Sequence, residues 1–212
     1  MQLYTYWRSS ASFRLRIAIN LKGIPVEAVP MHLRRNEQHS AGYLRLNPQG
    51  LVPALAVGSE VLSQSLAIIE YLEETHPQPP LLPREPLARA EIRSMAFSIA
   101  CDLHPLNNLR VLKYLKQPLG HEQPAIDTWY QHWVDQCFAG LEQQLQRHSG
   151  DGRHSFGDSV TLADVCLVPQ VYNARRFNCS LAAYPTLTGI CTALEKLPAF
   201  AAAAPEQQPD AE

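Results

Sequence analysis

The sequence predicts two domains of different class, a mixed α+β domain followed by an all-helical one. Three observations carry this. Strand and helix signals alternate through Thr75. Five prolines then fall in the ten residues from Pro77 to Pro86, a stiff linker. Beyond them the strand signals vanish. The boundaries are therefore set at 1–80 for the first domain and 87–212 for the second, with the linker over 77–86.

Residues 2–7 read as a buried strand. A helix follows from about Ser10, with Ala11, Leu15, Ala18 and Ile19 at i, i+4, i+7 and i+8. Lys22-Gly23-Ile24-Pro25 stops it, glycine at the C-cap and proline beyond. Val26 to Met31 reads as a second strand, so the start is a βαβ unit with parallel strands. Residues 32–47 are a polar loop with a short helix, closed by the turn Asn47-Pro48-Gln49-Gly50. Leu51 to Val57 is a strand interrupted by Pro53, which belongs at an edge or a strand start. Gly58-Ser59-Glu60 turns it into Val61-Leu62, an antiparallel hairpin. A helix over 65–75 takes Ser65 as its cap and puts Leu66, Ile69 and Leu72 on one face.

In the second domain Ile92, Met95, Ala96, Ile99, Leu103 and Leu106 keep helical spacing. Residues 123–148 form a long amphipathic helix with Trp129, Trp133, Phe138, Leu141 and Leu145 as its apolar face. Thr161-Leu162-Ala163-Asp164 is a capping box opening a helix to about Phe177. A last helix runs from Pro185 to Leu197, and the tail from Pro205 is expected to be loosely held.

Composition excludes several classes. Of 212 residues 46% are hydrophobic, enough for a sizeable core, and the net charge is −2 with no basic patch for nucleic acid. No apolar run is long enough to span a bilayer, and no leader pattern opens the chain. The five cysteines form no C-x-x-C pair, which points to reduced thiols in a cytoplasmic protein. The eight histidines lack metal-ligand spacing, so no metal is expected.

Three features of the first domain carry chemistry. The hydroxyl run Ser9–Ser12 sits where a strand meets a helix, a place of unpaired N–H groups that favours a thiolate or carboxylate. Gln64-Ser65 opens a second helix in the same way. Between them, a cis bond at Val52-Pro53 would turn the Val52 backbone toward an extended peptide. A site for a thiol, a carboxylate and a peptide backbone suits glutathione. Singly, each feature also reads as a helix cap or an edge proline.

Arg8-Ser9-Ser10-Ala11-Ser12-Phe13-Arg14-Leu15-Arg16-Ile17-Ala18, then Leu46-Asn47-Pro48-Gln49-Gly50-Leu51-Val52-Pro53-Ala54-Leu55, then Gln64-Ser65-Leu66 through Glu74, stand in an order that resembles the zeta-class glutathione transferases. The likeness is to the group that includes the maleylacetoacetate and maleylpyruvate isomerases. Cys101-Asp102-Leu103-His104-Pro105-Leu106-Asn107-Asn108, Phe156-Gly157-Asp158 and Arg175-Arg176-Phe177 extend it into the second domain, and it reaches Gln208-Pro209-Asp210. The resemblance implies a thioredoxin-like N-terminal domain, an all-helical C-terminal domain and a homodimer with glutathione as cofactor. It implies that Ser9 holds the glutathione sulfur, with Ser10 and Ala11 beside it. Gln49, Val52, Pro53, Gln64 and Ser65 then contact glutathione, with His104 and Asn108 near it. It implies that Arg176 binds the acidic substrate and that Arg110 stands near the site; by its position beside Ser9, Arg8 is added, so that Arg8, Arg110 and Arg176 are the substrate-binding candidates and Arg8 and Arg176 join Ser9 in catalysis. Many members carry cysteine where this chain has Ala11, which leaves glutathione as the sulfur nucleophile. Arg14 and Arg16 read as solvent-facing or structural, and Thr161 and Asp164 as folding residues.

The implied reaction is cis–trans isomerisation of maleylacetoacetate or maleylpyruvate, small acidic enones of aromatic catabolism. Reversible thiolate addition makes the double bond single, rotation follows and elimination returns glutathione. Two other readings stand beside it. One is a transferase that consumes glutathione by conjugation or dehalogenation; the other is a non-catalytic binding module on the same fold.

Overall fold

The computed structural model describes residues 1–212, which divide into two compact units, Met1–Pro80 with Lys196–Glu212 and Leu81–Glu195. In the first unit the elements are β1 (Gln2–Thr5), α1 (Ser10–Leu21), β2 (Glu27–Pro30), α2 (Ala41–Leu46), β3 (Ala54–Val57), β4 (Glu60–Ser63) and α3 (Ser65–Thr75). They form one four-stranded sheet in the order β2-β1-β3-β4. β1 and β2 pair in parallel across α1, and the β3–β4 hairpin adds to β1 antiparallel. This is the mixed sheet that the strand–helix–strand and hairpin signals predict.

The core of this unit lies where the sheet meets α1 and α3. Leu3, Leu55, Leu15, Ile17, Ile68, Ile69 and Leu72 are buried. Each of these side chains removes about 1.5–3 kcal/mol worth of apolar surface from water. Lys22 closes the far end of α1 against α3. Its ammonium pairs with Glu73 at 2.8 Å and donates to the carbonyls of His76 and Pro79.

The sequence assigns 87–212 to the helical domain, but residues 196–212 pack with the first unit. The helix expected to reach Leu197 ends at Leu194, and α10 (Pro198–Ala203) begins after it. Pro198 explains the break, because proline holds the preceding Leu197 extended, at φ −71° and ψ 135°. α10 lies on α1, with Phe200 and Ala203 buried and the Asn20 amide donating to the Ala199 carbonyl. The tail is not loose. Pro205 is buried, Asp210 accepts the Trp7 N–H, and Glu212 meets His32 at 2.8 Å and Arg35 at 3.3 Å.

The second unit contains α4 (Pro86–Phe97), α5 (His104–Leu106), α6 (Leu109–Lys116), α7 (Gln123–His148), α8 (Leu162–Arg176) and α9 (Pro185–Leu194). α8 is its centre, packed against α4 and α9 and buried along nearly its whole length. Its capping box is present as the sequence predicts. The Asp164 carboxylate accepts from the Thr161 N–H and hydroxyl and from the Ser155 N–H. The buried face of α7 differs from the expected one. It runs Ile126, Tyr130, Val134, Phe138, Leu141 and Leu145, while Trp129 and Trp133 are half-buried beside it. Trp129 lies off that stripe and donates its indole N–H to the Leu106 carbonyl.

Candidate active site

The sheet register brings three segments of the first unit to one end. β1 finishes there at Thr5; β3 starts there, with Ala54 opposite Tyr4; β4 finishes there, with Ser63 opposite Ala54. The residues after β1, before β3 and after β4 therefore emerge side by side. They are Arg8–Ser9, Val52–Pro53 and Gln64–Ser65, far apart in sequence and predicted to meet.

Ser9 is the N-cap of α1. Its Oγ accepts from the Ser12 N–H at 3.2 Å, and its own N–H donates to the Tyr6 carbonyl at 3.0 Å. Ser9 and Ala11 are half-buried and Ser10 is buried. Capping uses one lone pair of Oγ, so the hydroxyl proton stays available for a ligand. Arg8 is half-buried, with its guanidinium 4.5 Å from the Trp7 ring centroid.

α3 opens differently. The Gln64 side chain makes no cap bond, and no acidic residue occupies the first turn. Gln64 sits at φ +69°, ψ 112°, a conformation that L side chains rarely adopt. Strain of that kind marks places where surrounding structure fixes the backbone for a purpose. Ser65 is buried at the head of the helix. An uncapped helix start with a serine hydroxyl is suited to a carboxylate.

Gln49 is tied to this corner, since its Oε1 accepts from Gln64 Nε2 at 3.0 Å. The turn that carries it is built from Asn47, whose Oδ1 accepts the Gln49 N–H and whose amide donates to the Leu51 carbonyl. Gly50 is required here. Its φ is +61°, and a Cβ would stand 2.7 Å from the His39 ring. The Val52–Pro53 bond is cis. Val52 precedes the first ladder pair, at Ala54, so its backbone lies outside the sheet's own pairing.

The remaining candidates lie in the second unit. A π-helical turn, Ser98–Leu103, leads into His104, which is half-buried. Pro105 lacks an N–H and its ring crowds the carbonyl four residues back, so the wider turn is the expected relief. Asn108 caps α6, its Oδ1 accepting the Arg110 N–H at 3.1 Å, and Arg110 is exposed. Arg176 is exposed at the end of α8. Its guanidinium lies 4.7 Å from the Phe177 ring centroid, and Phe177 stacks on Tyr130 at 3.9 Å and 12°. Burial pushes the Tyr130 phenol well up, against the opposing charge of Arg176.

Three of the protein's own thiols are poor nucleophile candidates. Burial pushes Cys137 up to about 12 and Cys179 up to about 11, and raises Cys191 strongly. No group of three or more His, Cys, Asp or Glu side chains is placed to hold a metal ion. No helix is long and apolar enough to cross a membrane. Asp210 is the residue the sequence reading missed at this corner; the motif Gln208-Pro209-Asp210 was visible, but nothing local said what the carboxylate reaches.

The family model for the glutathione S-transferase N-terminal domain matches residues 1–74, and that for the C-terminal domain matches 127–202. A probable maleylacetoacetate isomerase of Vibrio cholerae serotype O1 is 52% identical over 99% of this chain and 97% of its own. A solved maleyl pyruvate isomerase, described as a bacterial zeta-class glutathione S-transferase, is 47% identical and superposes with a TM-score of 0.97, covering 100% of both chains. A maleylacetoacetate isomerase from Methylobacterium extorquens AM1, solved with malonate and GSH bound, is 43% identical with a TM-score of 0.95, again covering 100% of both. The chain therefore belongs to the glutathione S-transferase family, in its zeta-class branch of maleylacetoacetate and maleylpyruvate isomerases.

Proposed function

We propose that the protein is a glutathione-dependent cis–trans isomerase. It converts maleylacetoacetate to fumarylacetoacetate, or maleylpyruvate to fumarylpyruvate, in the breakdown of aromatic compounds such as tyrosine and phenylalanine. The observation that carries this reading is the meeting of Ser9, Val52 and Gln64–Ser65 at one end of the sheet. Those residues fit glutathione part by part. The open start of α3 with Ser65 takes a carboxylate, the free backbone of Val52 takes a peptide group, and the Ser9 hydroxyl takes the sulfur. Gln49 and Gln64 add amide donors and acceptors beside them.

When bound, glutathione supplies a thiolate whose reversible addition to the maleyl double bond leaves a single bond free to rotate. Ser9 directs its hydroxyl proton at the sulfur position while α1 contributes the positive end of its dipole. Thiol activation is a minor share of the rate. A thiol with pKa about 8.5 is roughly 3% ionised at pH 7, and lowering it by about two units gives roughly 25-fold more thiolate. A Brønsted slope of about 0.4–0.5 takes back about six- to tenfold in nucleophilicity. Holding the substrate matters more, since orientation can supply about 7–11 kcal/mol. Arg176, braced on Phe177, takes a substrate carboxylate, with Arg110 as a second cation; Arg8 stabilises the negative charge that develops on the ketone oxygen. His104 and Asn108 are assigned to glutathione on the family likeness. The working assembly is a homodimer in the cytoplasm, a reading supported by family membership.

Loss of the cis-enone absorbance of both substrates, with and without glutathione and with free thiol assayed in parallel, tests this. Turnover that depends on glutathione and leaves the thiol count constant is expected, and the ratio of kcat/KM selects the substrate. Turnover that consumes thiol assigns the conjugating or dehalogenating activity instead. Folded protein with no turnover assigns a binding module.

A further inference from the structure

We propose that Asp210 is a positioning residue for the catalytic loop, holding Trp7 and through it Arg8 and Ser9 in register at the start of α1. The loop between β1 and α1 has its backbone groups met one by one. The Tyr6 carbonyl accepts from the Ser9 N–H at 3.0 Å and from Arg16 Nη1 at 3.3 Å. The Trp7 carbonyl accepts from Arg16 Nη2 at 2.9 Å. The Trp7 N–H lies beyond the last β1–β2 ladder pair, Thr5 with Pro30, on a residue that is 6% exposed. Asp210 Oδ2 meets it at 3.0 Å, across 203 residues of sequence. A carboxylate on an amide N–H is about twice as strong as a neutral pair. With it, the two residues that precede Arg8 are gripped from both sides.

The grip is built, since the strap that carries Asp210 is fastened along its length. Arg16 Nε donates to the Ala203 carbonyl at 3.0 Å, so the same guanidinium that holds the loop also holds the end of α10. Gln208 Nε2 donates to the carbonyls of Ala202 and Ala204, and Pro205 is buried. Beyond Asp210, Glu212 reaches His32, whose ring lies 5.4 Å from that of Tyr6. A tail that merely docked for stability would need no bond to the loop's own backbone. This one, through Asp210, bonds the backbone two residues before Ser9.

The proposal rests on the reading that the Ser9 hydroxyl serves the glutathione sulfur. Turnover, and the apparent pKa of the bound glutathione thiol read from thiolate absorbance, separate the two in Ser9→Ala, Asp210→Ala, Asp210→Asn and the Ser9→Ala/Asp210→Ala double variant. Asp210→Ala is expected to lower kcat about tenfold and to raise the thiol pKa, with the KM for the enone within about twofold of wild type. Asp210→Asn keeps an oxygen for the Trp7 N–H through a weaker neutral bond, and is expected to lose about two- to threefold. In the Ser9→Ala background, Asp210→Ala is expected to leave the thiol pKa where Ser9→Ala alone puts it, because that readout runs through Ser9, while the part of the kcat loss that runs through Arg8 remains. Wild-type kcat and thiol pKa in Ser9→Ala alone would overturn the sulfur-binding reading, and the proposal with it. A loss in Ser9→Ala with none in Asp210→Ala, or thiol pKa shifts that add in the double variant, overturns the positioning role alone. Where Asp210→Ala does not fold, Asp210→Asn decides: kcat and thiol pKa both at wild type overturn the proposal.

Discussion

The Ser9 hydroxyl accepts one bond from the Ser12 N–H and keeps its own proton for a ligand. Replacing Ser9 by alanine removes both functions. The lost cap costs about 1 kcal/mol of stability. We expect kcat to fall about two- to fourfold, the net activation left once lower nucleophilicity is counted, with a smaller change in the KM for glutathione, because the carboxylate and peptide contacts remain. Steady-state kinetics and a thermal melt on the same preparation separate the two losses. At Arg176 the expectation reverses: alanine there removes a charged hydrogen-bonding group worth about 1.5–3 kcal/mol, so kcat/KM for the acidic enone should fall roughly 10- to 100-fold while glutathione binding holds. Unchanged kcat/KM would remove Arg176 from substrate binding. What was legible at Ser9 is its place, because a hydroxyl where a strand meets a helix reads as an N-cap and stands there as one. Arg16 was only half legible. The structural role was read correctly, but Arg16 is buried and spends its guanidinium on backbone carbonyls and the Thr5 hydroxyl. Helical spacing alone cannot distinguish an arginine that reaches water from one that replaces it.

At the scale of elements, local signals place what local physics decides. Ser9 and Gly23 bound α1, the Thr161–Asp164 box opens α8, and the hairpin follows from the Gly58-Ser59 turn. Caps supplied from elsewhere leave no such trace. α9 has no side-chain cap of its own; Glu142, in the last third of α7, accepts the Thr186 and Leu187 N–H groups at 2.9 Å each. Burial alone would raise this carboxyl, but the bonds from Thr186, Leu187 and Gln146 outweigh it and hold the pKa below the usual range. The sign follows: the carboxylate's contribution is fully present above the unfolded value of about 4.3 and is lost as pH falls through the lower folded value. Glu142→Ala strands two helix-start donors. We expect it to cost about 2 kcal/mol near neutral pH, or roughly 4–8 °C in Tm, and less in acid below the folded value. Parallel melts of wild type and variant across that range check this; a Tm gap that does not narrow in acid would discount the charge.

For the whole molecule, the two-class division was legible from the proline-rich linker and the loss of strand signals, but the assignment of the last residues was not. Nothing in the sequence of 196–212 announces that α10 returns to α1 rather than extending the helical unit. Glutathione should stabilise the folded chain by mass action, about 2.7 kcal/mol at a hundredfold excess over its Kd. The shift in Tm should vanish in a Ser65→Ala variant if the α3 start carries the carboxylate, and a full shift in that variant would assign the carboxylate elsewhere. The returning strap also bears on how the protein is made. Lys196–Glu212 leave the ribosome after every residue of Leu81–Glu195, so the first unit, though first to be synthesised, must wait with its loop ungripped until the helical unit has emerged. A fragment holding residues 1–80 alone lacks the strap that packs on α1 and meets the Trp7 N–H.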